Sequence, residues 1–164
     1  MKNKLDLLAV KMMEYYAGDA KRIQHFIKVH SLARLIGVKE NMPEHALYIL
    51  EAAALTHDIG IKKAEEIYGC CDGSLQEQLG PAVAREMLIA LDFDEDDISR
   101  ICYLIAHHHT YTDIDGMDYR ILVEADFIVN LYEDNAEEDA IKSAYDRIFR
   151  TDAGKELCRL MFGI

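Results

Sequence analysis

The chain is poor in several residues and patterns that announce particular fold classes. Only two prolines and nine glycines occur in 164 residues. That is too few for a low-complexity or disordered chain, and the 51% hydrophobic and 29% charged content is that of an ordered globular protein. Positive charge is scarce: eighteen Lys and Arg stand against thirty Asp and Glu, a net charge of -12. Long-range electrostatics therefore repel DNA, RNA and anionic membranes, which leaves small ligands, local cationic pockets and metal cations as partners. The four cysteines, Cys70, Cys71, Cys102 and Cys158, form no C-x-x-C pair, so reduced thiols are expected rather than a thiolate metal clamp. No run is apolar for long enough to span a bilayer, and the opening MKNKLDLLAVKMMEYY lacks the unbroken apolar stretch of a secretion signal. The cytoplasm is the expected compartment. A Gly-rich phosphate loop and a serine nucleophile motif are also missing.

What is present is apolar residues at helical spacing almost throughout, with no internal repeat or long linker, so the expected class is an all-α bundle. A chain of this length suits one hydrophobic core and a single domain, since such a core buries about two thirds of the unfolded surface. Helices are expected over Leu5 to Tyr16, from an Asp19 cap to about Ile36 with Gly37 as the stop, and from Pro43 to a stop at Gly60. A loop around Gly69 to Gly73 precedes a helix starting at Ser74, or anew at Pro81, and ending near Ala90. The acidic DFDEDD reads as a macrodipole-favoured start for a helix over Ile98 to His109. Asp118 caps a helix through Leu131, and two more are expected over Ala136 to Arg150 and Thr151 to Phe162.

Several ionisable residues fall on the apolar faces of these helices. His25 shares a stripe with Arg22, Val29, Leu32, Ala33 and Ile36, whereas His30, about 140° round the helix, faces solvent. His57 and Asp58 end the most apolar helix, where an unpaired carboxylate is costly. The stripe Ile98, Ile101, Cys102 and Ile105 extends to His108 and His109 rather than to His107. Asp126 lies among Leu122, Val123 and Val129, while Glu124 faces elsewhere. Each residue alone has a bland explanation as a satisfied core histidine or a helix-capping aspartate. Three or four helices each offering an inward His or Asp are instead a way to build a mixed nitrogen and oxygen metal site. Periodicity does not say whether they converge.

These residues resemble the HD superfamily over about residues 19–133, a core on which C-terminal helices over 136–162 would pack. The segment R22-I-Q-H25-F-I-K-V29-H-S-L-A33 is similar to the family's first histidine helix. A53-A-L-T-H57-D58-I-G60 is similar to its core motif, and L122-V-E-A125-D126 to the alanine-aspartate that supplies the last ligand. The resemblance implies an HD-type helical bundle holding a divalent ion (Fe, Mn, Ni, Co, Mg or Zn) through His25, His57, Asp58 and Asp126. Two-metal members add a histidine before the helix at G80-P-A-V-A, where this chain has Gln76, Glu77 and Gln78. One firmly bound metal is therefore expected. A weaker second metal or substrate site stays open at Glu77, His108 and His109, with Glu77 alternatively a capping-box partner of Ser74.

The activity implied is metal-dependent phosphohydrolysis of a nucleotide or other small phosphoester by activated water. Asp58 is the candidate proton acceptor, His108 or His109 the group that orients phosphate or protonates the leaving oxygen, and Arg22, Lys62 and Lys63 the phosphate-binding cations, although exposed lysines are commonly mere solvated surface. An HD-type iron oxygenase and a non-catalytic metal or ligand sensor are the other readings. Tyr48, Tyr103, Tyr111, Tyr119 and Tyr132 are candidates for a pocket or a homodimer surface, or are simple packing.

Overall fold

A computed structural model describes residues 2–164. Nine α-helices form among the described residues, and no strand: α1 (Lys2–Tyr15), α2 (Ala20–Lys39), α3 (Glu44–Thr56), α4 (Gly60–Tyr68), α5 (Gly73–Ala90), α6 (Glu95–Ile105), α7 (Met117–Glu133), α8 (Glu138–Ile148) and α9 (Asp152–Phe162). None is long and apolar enough to cross a membrane. The four cysteines are free thiols.

The apolar α3 is the axis of the bundle, packed against α1, α2, α6 and α7, with Leu50, Ala52, Ala53 and Ala54 fully buried. Its starts and stops follow local chemistry. Asp19 caps α2 by accepting the Arg22 amide at 3.1 Å. Pro43 then sets the N-cap of α3 with φ -54°. Gly37 does not end α2 as its identity suggested; the helix runs on to Lys39 with Glu40 as its C-cap, and Asn41 beyond it adopts φ 56°. Gly37 is buried because a Cβ there would lie 2.7 Å from Leu47 Cδ1. Close helix approach, not helix termination, explains this glycine.

Gly60, too, has a different place from the one its identity suggested. It begins α4 rather than simply closing α3, and His57, Asp58 and Ile59 form the turn between the two helices. Gly60 meets Gly80 of α5 backbone to backbone: a Cβ on Gly60 would lie 2.7 Å from Gln76 O and 2.8 Å from Gly80 N, and one on Gly80 would lie 2.7 Å from Ile105 Cγ2. This glycine pair draws α4, α5 and α6 together beside the His57–Asp58 turn. Replacing Gly60 with alanine is expected to destabilise the fold by about 1–3 kcal/mol through overpacking against backbone that has no rotamer to yield. A denaturant midpoint at the parental value would contradict this account.

The helix after Gly69 is continuous from Gly73 to Ala90 with Pro81 in its interior, so there is no fresh start at Pro81. Its cap is Asp72, which accepts the Leu75 amide at 2.9 Å, rather than Ser74. The acidic run behaves as expected, with Asp94 as N-cap and Glu95, Asp96 and Asp97 in the first turn of α6. That helix stops at Ile105, and residues 106–109 turn away from it. Gly116, not Asp118, caps α7; the Asp118 carboxylate accepts its own neighbour's amide, that of Tyr119, and pairs with Arg100 at 2.7 Å. Glu124 does face away from the Asp126 side but is fully buried, accepting the Arg150 and Thr151 amides and the Thr151 hydroxyl at the start of α9. Burial raises its pKa against those bonds, which act to lower it.

Candidate metal centre

Four of the residues singled out from sequence meet at one point. His25 comes from α2, His57 and Asp58 from the turn after α3, and Asp126 from α7. His25 Nε2 lies 3.2 Å from His57 Nε2, 3.2 Å from Asp58 Oδ2 and 3.2 Å from Asp126 Oδ1. His57 Nε2 lies 3.4 Å from Asp58 Oδ2 and 3.5 Å from Asp126 Oδ1. A fifth group joins them, since His108 Nε2 is 3.5 Å from Asp58 Oδ1. Helix packing does this: α3 packs against α2, α6 and α7, and α2 packs against α7.

The orientation of the imidazoles is set from behind. His57 Nδ1 lies 2.8 Å from the Ala54 carbonyl, His108 Nδ1 lies 2.8 Å from the Ile105 carbonyl, and His25 Nδ1 lies 2.9 Å from Glu133 Oε2. Each of these acceptors requires an N–H, so Nδ1 carries the proton and Nε2 presents a lone pair to the centre. Two such lone pairs 3.2 Å apart, on His25 and His57, repel unless a proton or a cation lies with them. His108 Nε2 is buried and has no hydrogen-bond partner among the described residues. A buried, unsatisfied nitrogen aimed at a carboxylate that already faces two other imidazoles is the donor chemistry of a cation site. Two overlapping groups, His25 with His57 and Asp58, and Asp58 with His108 and His109, each bring ligand atoms within 4.8 Å of one another, and Asp58 is common to both.

The charges respond accordingly. Burial acts to lower the pKa of His57, but the Asp58 and Asp126 carboxylates overcome it and hold the imidazole well above its ordinary value. His25 is raised by the same competition, burial against the hydrogen bond to Asp126 and the field of Asp58. Burial acts to raise Asp58 and Asp126, yet the facing imidazoles hold both well below the usual carboxylate range. His109 behaves differently. Burial and then the neighbouring His108 lower its pKa to about 4, so it is neutral near pH 7. Its Nε2 lies 3.0 Å from Gln76 Oε1.

Asp58 keeps 19% of its side-chain surface exposed and so opens the centre to an outer cleft of about 300 Å³. Lys21, Arg22, Gln76, His109, Asn130 and Asp134 stand around that cleft. The remaining sequence candidates lie as follows. Arg22 borders the cleft but is held by Glu65 at 2.5 Å and Asp19 at 3.1 Å. Lys62 is absent from the cleft walls, donating to the Tyr15 carbonyl at 3.0 Å with its ammonium over the Tyr15 ring. Lys63 is exposed and likewise does not line the cleft. Glu77 is neither a capping-box partner nor one of the grouped donors; its carboxylate accepts the His109 amide at 2.9 Å and the Thr110 hydroxyl at 3.0 Å. His30 is half-buried against Glu51 at 3.0 Å rather than free on the surface, beside a separate cleft between α1, α2 and α3. None of Tyr48, Tyr103, Tyr111, Tyr119 and Tyr132 lines the central cleft.

Supporting residues unremarked in the sequence include Asn130, which donates to Asp126 at 2.9 Å, Glu133 behind His25, and Tyr16, whose hydroxyl donates to the Asp58 carbonyl at 2.7 Å. A signal for two of them was available: Asp126, Asn130 and Glu133 stand at i, i+4 and i+7, one polar stripe along α7. Tyr16 gave none, because its partner is a backbone group.

An all-helical bundle that gathers imidazoles and carboxylates into a group able to hold a metal ion defines the class. The model of the HD domain family matches residues 22–150, and the chain belongs to that family, whose domains bind divalent metals. A crystal structure of a predicted HD superfamily hydrolase from an uncultured Thermotogales bacterium has the same fold, with a TM-score of 0.66 at 23% identity over 99% of this chain and 85% of that one. No curated protein matches at the stringency applied.

Proposed function

We propose that the protein is a metal-dependent phosphohydrolase acting on a nucleotide or other small phosphoester, with one divalent ion held by His25, His57, Asp58 and Asp126. The single observation that carries this reading is the convergence of inward-facing Nε2 atoms on two carboxylates at the floor of a solvent cleft. When bound, such an ion supplies Lewis acidity, which makes water nucleophilic near neutral pH and polarises a phosphoryl oxygen.

The chain's own residues supply the rest. Asp58 is the partly exposed carboxylate of the group, so its oxygen is the one positioned to accept a proton from water in the cleft. Asp126, almost fully buried and tied to Asn130, holds charge rather than moving protons. His108 Nε2 faces the second oxygen of Asp58 at 3.5 Å and is the further nitrogen available to an ion there. His109, neutral and anchored to Gln76, orients rather than donates protons. Lys21 and Arg22 are the cations at the rim within reach of a phosphate.

The test is hydrolysis of a phosphoester panel by purified protein supplemented with Mn, Co, Ni, Mg, Fe or Zn. Metal-dependent phosphate release is expected, and Asp58→Ala should lower it by about 10³-fold or more, since both a ligand and the proton acceptor go together. An Asp58→Ala protein as active as the parent would sink the reading. Oxygen consumption with two irons per chain would favour an oxygenase in its place.

A further inference from the structure

We infer that Glu133, clamped by Lys28, is a positioning residue for the metal centre: it fixes the tautomer and ring plane of His25 and thereby sets the metal affinity of the site. This rests on the proposed metal-centre reading and adds to it a residue outside the proposed ligand set, behind His25. His25 is the one imidazole of the centre whose Nδ1 is held by a side chain; His57 and His108 are held by carbonyls of their own preceding turns and need no outside help. Glu133 Oε2 lies 2.9 Å from His25 Nδ1, and Glu133 Oε1 lies 2.7 Å from Lys28 Nζ. The Lys28 ammonium in turn sits over the Tyr132 ring, 5.4 Å from its centroid.

Each link has a physical role. His25 and Lys28 are neighbours on α2 at i and i+3, and Glu133 stands at the end of α7, so the carboxylate spans the two helices that carry His25 and Asp126. A carboxylate that accepts Nδ1–H commits the imidazole to offering Nε2 inward and raises its basicity as a ligand. Its second oxygen would otherwise be free to swing toward the cleft, and Lys28 prevents that. Only 15% of the Glu133 side-chain surface is exposed, so water competes weakly for the Nδ1–H. Lys28, at 37%, is exposed enough that replacing it does not threaten the fold.

Zinc titration by calorimetry on the full chain, with ¹⁵N histidine spectra of the zinc-loaded protein, tests this. Glu133→Ala is expected to weaken zinc binding by about 10–100-fold and to shift the His25 Nδ1–H resonance away from its hydrogen-bonded position, while the melting midpoint of the metal-free protein moves little. Glu133→Gln, whose amide oxygen still accepts from Nδ1–H, should recover most of both. Lys28→Met should give an intermediate loss. Glu133→Ala binding zinc within twofold of the parent, with the His25 Nδ1–H resonance unmoved, overturns the inference while leaving the metal centre intact. Parent and His57→Ala proteins binding zinc equally would instead overturn the centre itself, and the role of Glu133 with it.

Discussion

His57→Ala is expected to abolish divalent-metal binding at micromolar concentrations and to lower any phosphohydrolase activity by about 10³-fold or more, roughly 4 kcal/mol of transition-state stabilisation. His57 has no exposed surface, and its Nε2 faces both carboxylates and His25 at once. Alanine removes that nitrogen and leaves a cavity that neither Asp58 nor Asp126 can reach across. Emptying a packed site of this size costs about 2–4 kcal/mol of stability as well. The readout is therefore metal stoichiometry by elemental analysis and calorimetry, taken at a temperature well below the melting midpoint of the variant. Stoichiometric binding by a folded His57→Ala protein would show that the convergent donors are not the metal site. Loss of activity with metal retained would separate binding from chemistry and direct attention to Asp58.

The all-helical class and the inward placement of His25, His57, Asp58 and Asp126 were legible because both depend on periodicity, and periodicity is a local property. An ionisable group on an apolar helical face is visible in one dimension. Convergence is not, since it depends on the crossing of α2, α3, α6 and α7. Glycine was the least legible residue. Gly37 and Gly60 read as helix stops from their backbone freedom, yet both are selected for the missing Cβ: one admits Leu47, the other admits the backbone of Gly80. Glu77 was misread for a related reason. Its ordinal distance from Ser74 suggested a capping box, but the helix is capped two residues earlier by Asp72, and the carboxylate instead holds the His109 amide and the Thr110 hydroxyl. The cations were equally opaque, because a lysine's flexible stem reaches whatever is near; Lys62 finds the Tyr15 carbonyl and ring.

Metal should stabilise the fold, and more strongly as pH rises. Without metal, the centre is held by imidazolium facing carboxylate. His57 and His25 have folded pKa values raised above 6.5, so their contribution is fully present below that pH and is lost as pH rises through the raised values. Asp58 and Asp126 are lowered below 3.8, so theirs is present above that pH and is lost only as pH falls through the lowered values. The metal-free protein is accordingly best supported between about pH 4 and pH 6.5, and weakens as pH rises from there through the raised histidine values, leaving two lone pairs and two buried carboxylates facing one another. A cation takes the place of those protons, so its binding must displace them at low pH and need not at high pH. At a free metal concentration 1,000 times the dissociation constant, the gain is about 4.1 kcal/mol, which for a domain of this size raises the melting midpoint by roughly 8–16 °C. Melts at pH 5.5 and 8.0, with a fixed metal concentration and with chelator, should therefore show a larger metal-induced shift at pH 8.0, arising from both tighter binding and a weaker metal-free state. Asp126→Asn should reduce that shift, because the amide can neither balance the cation's charge nor hold an imidazolium in its absence. A shift equal at both pH values, or larger at 5.5, would show that protons and metal do not compete for the same lone pairs.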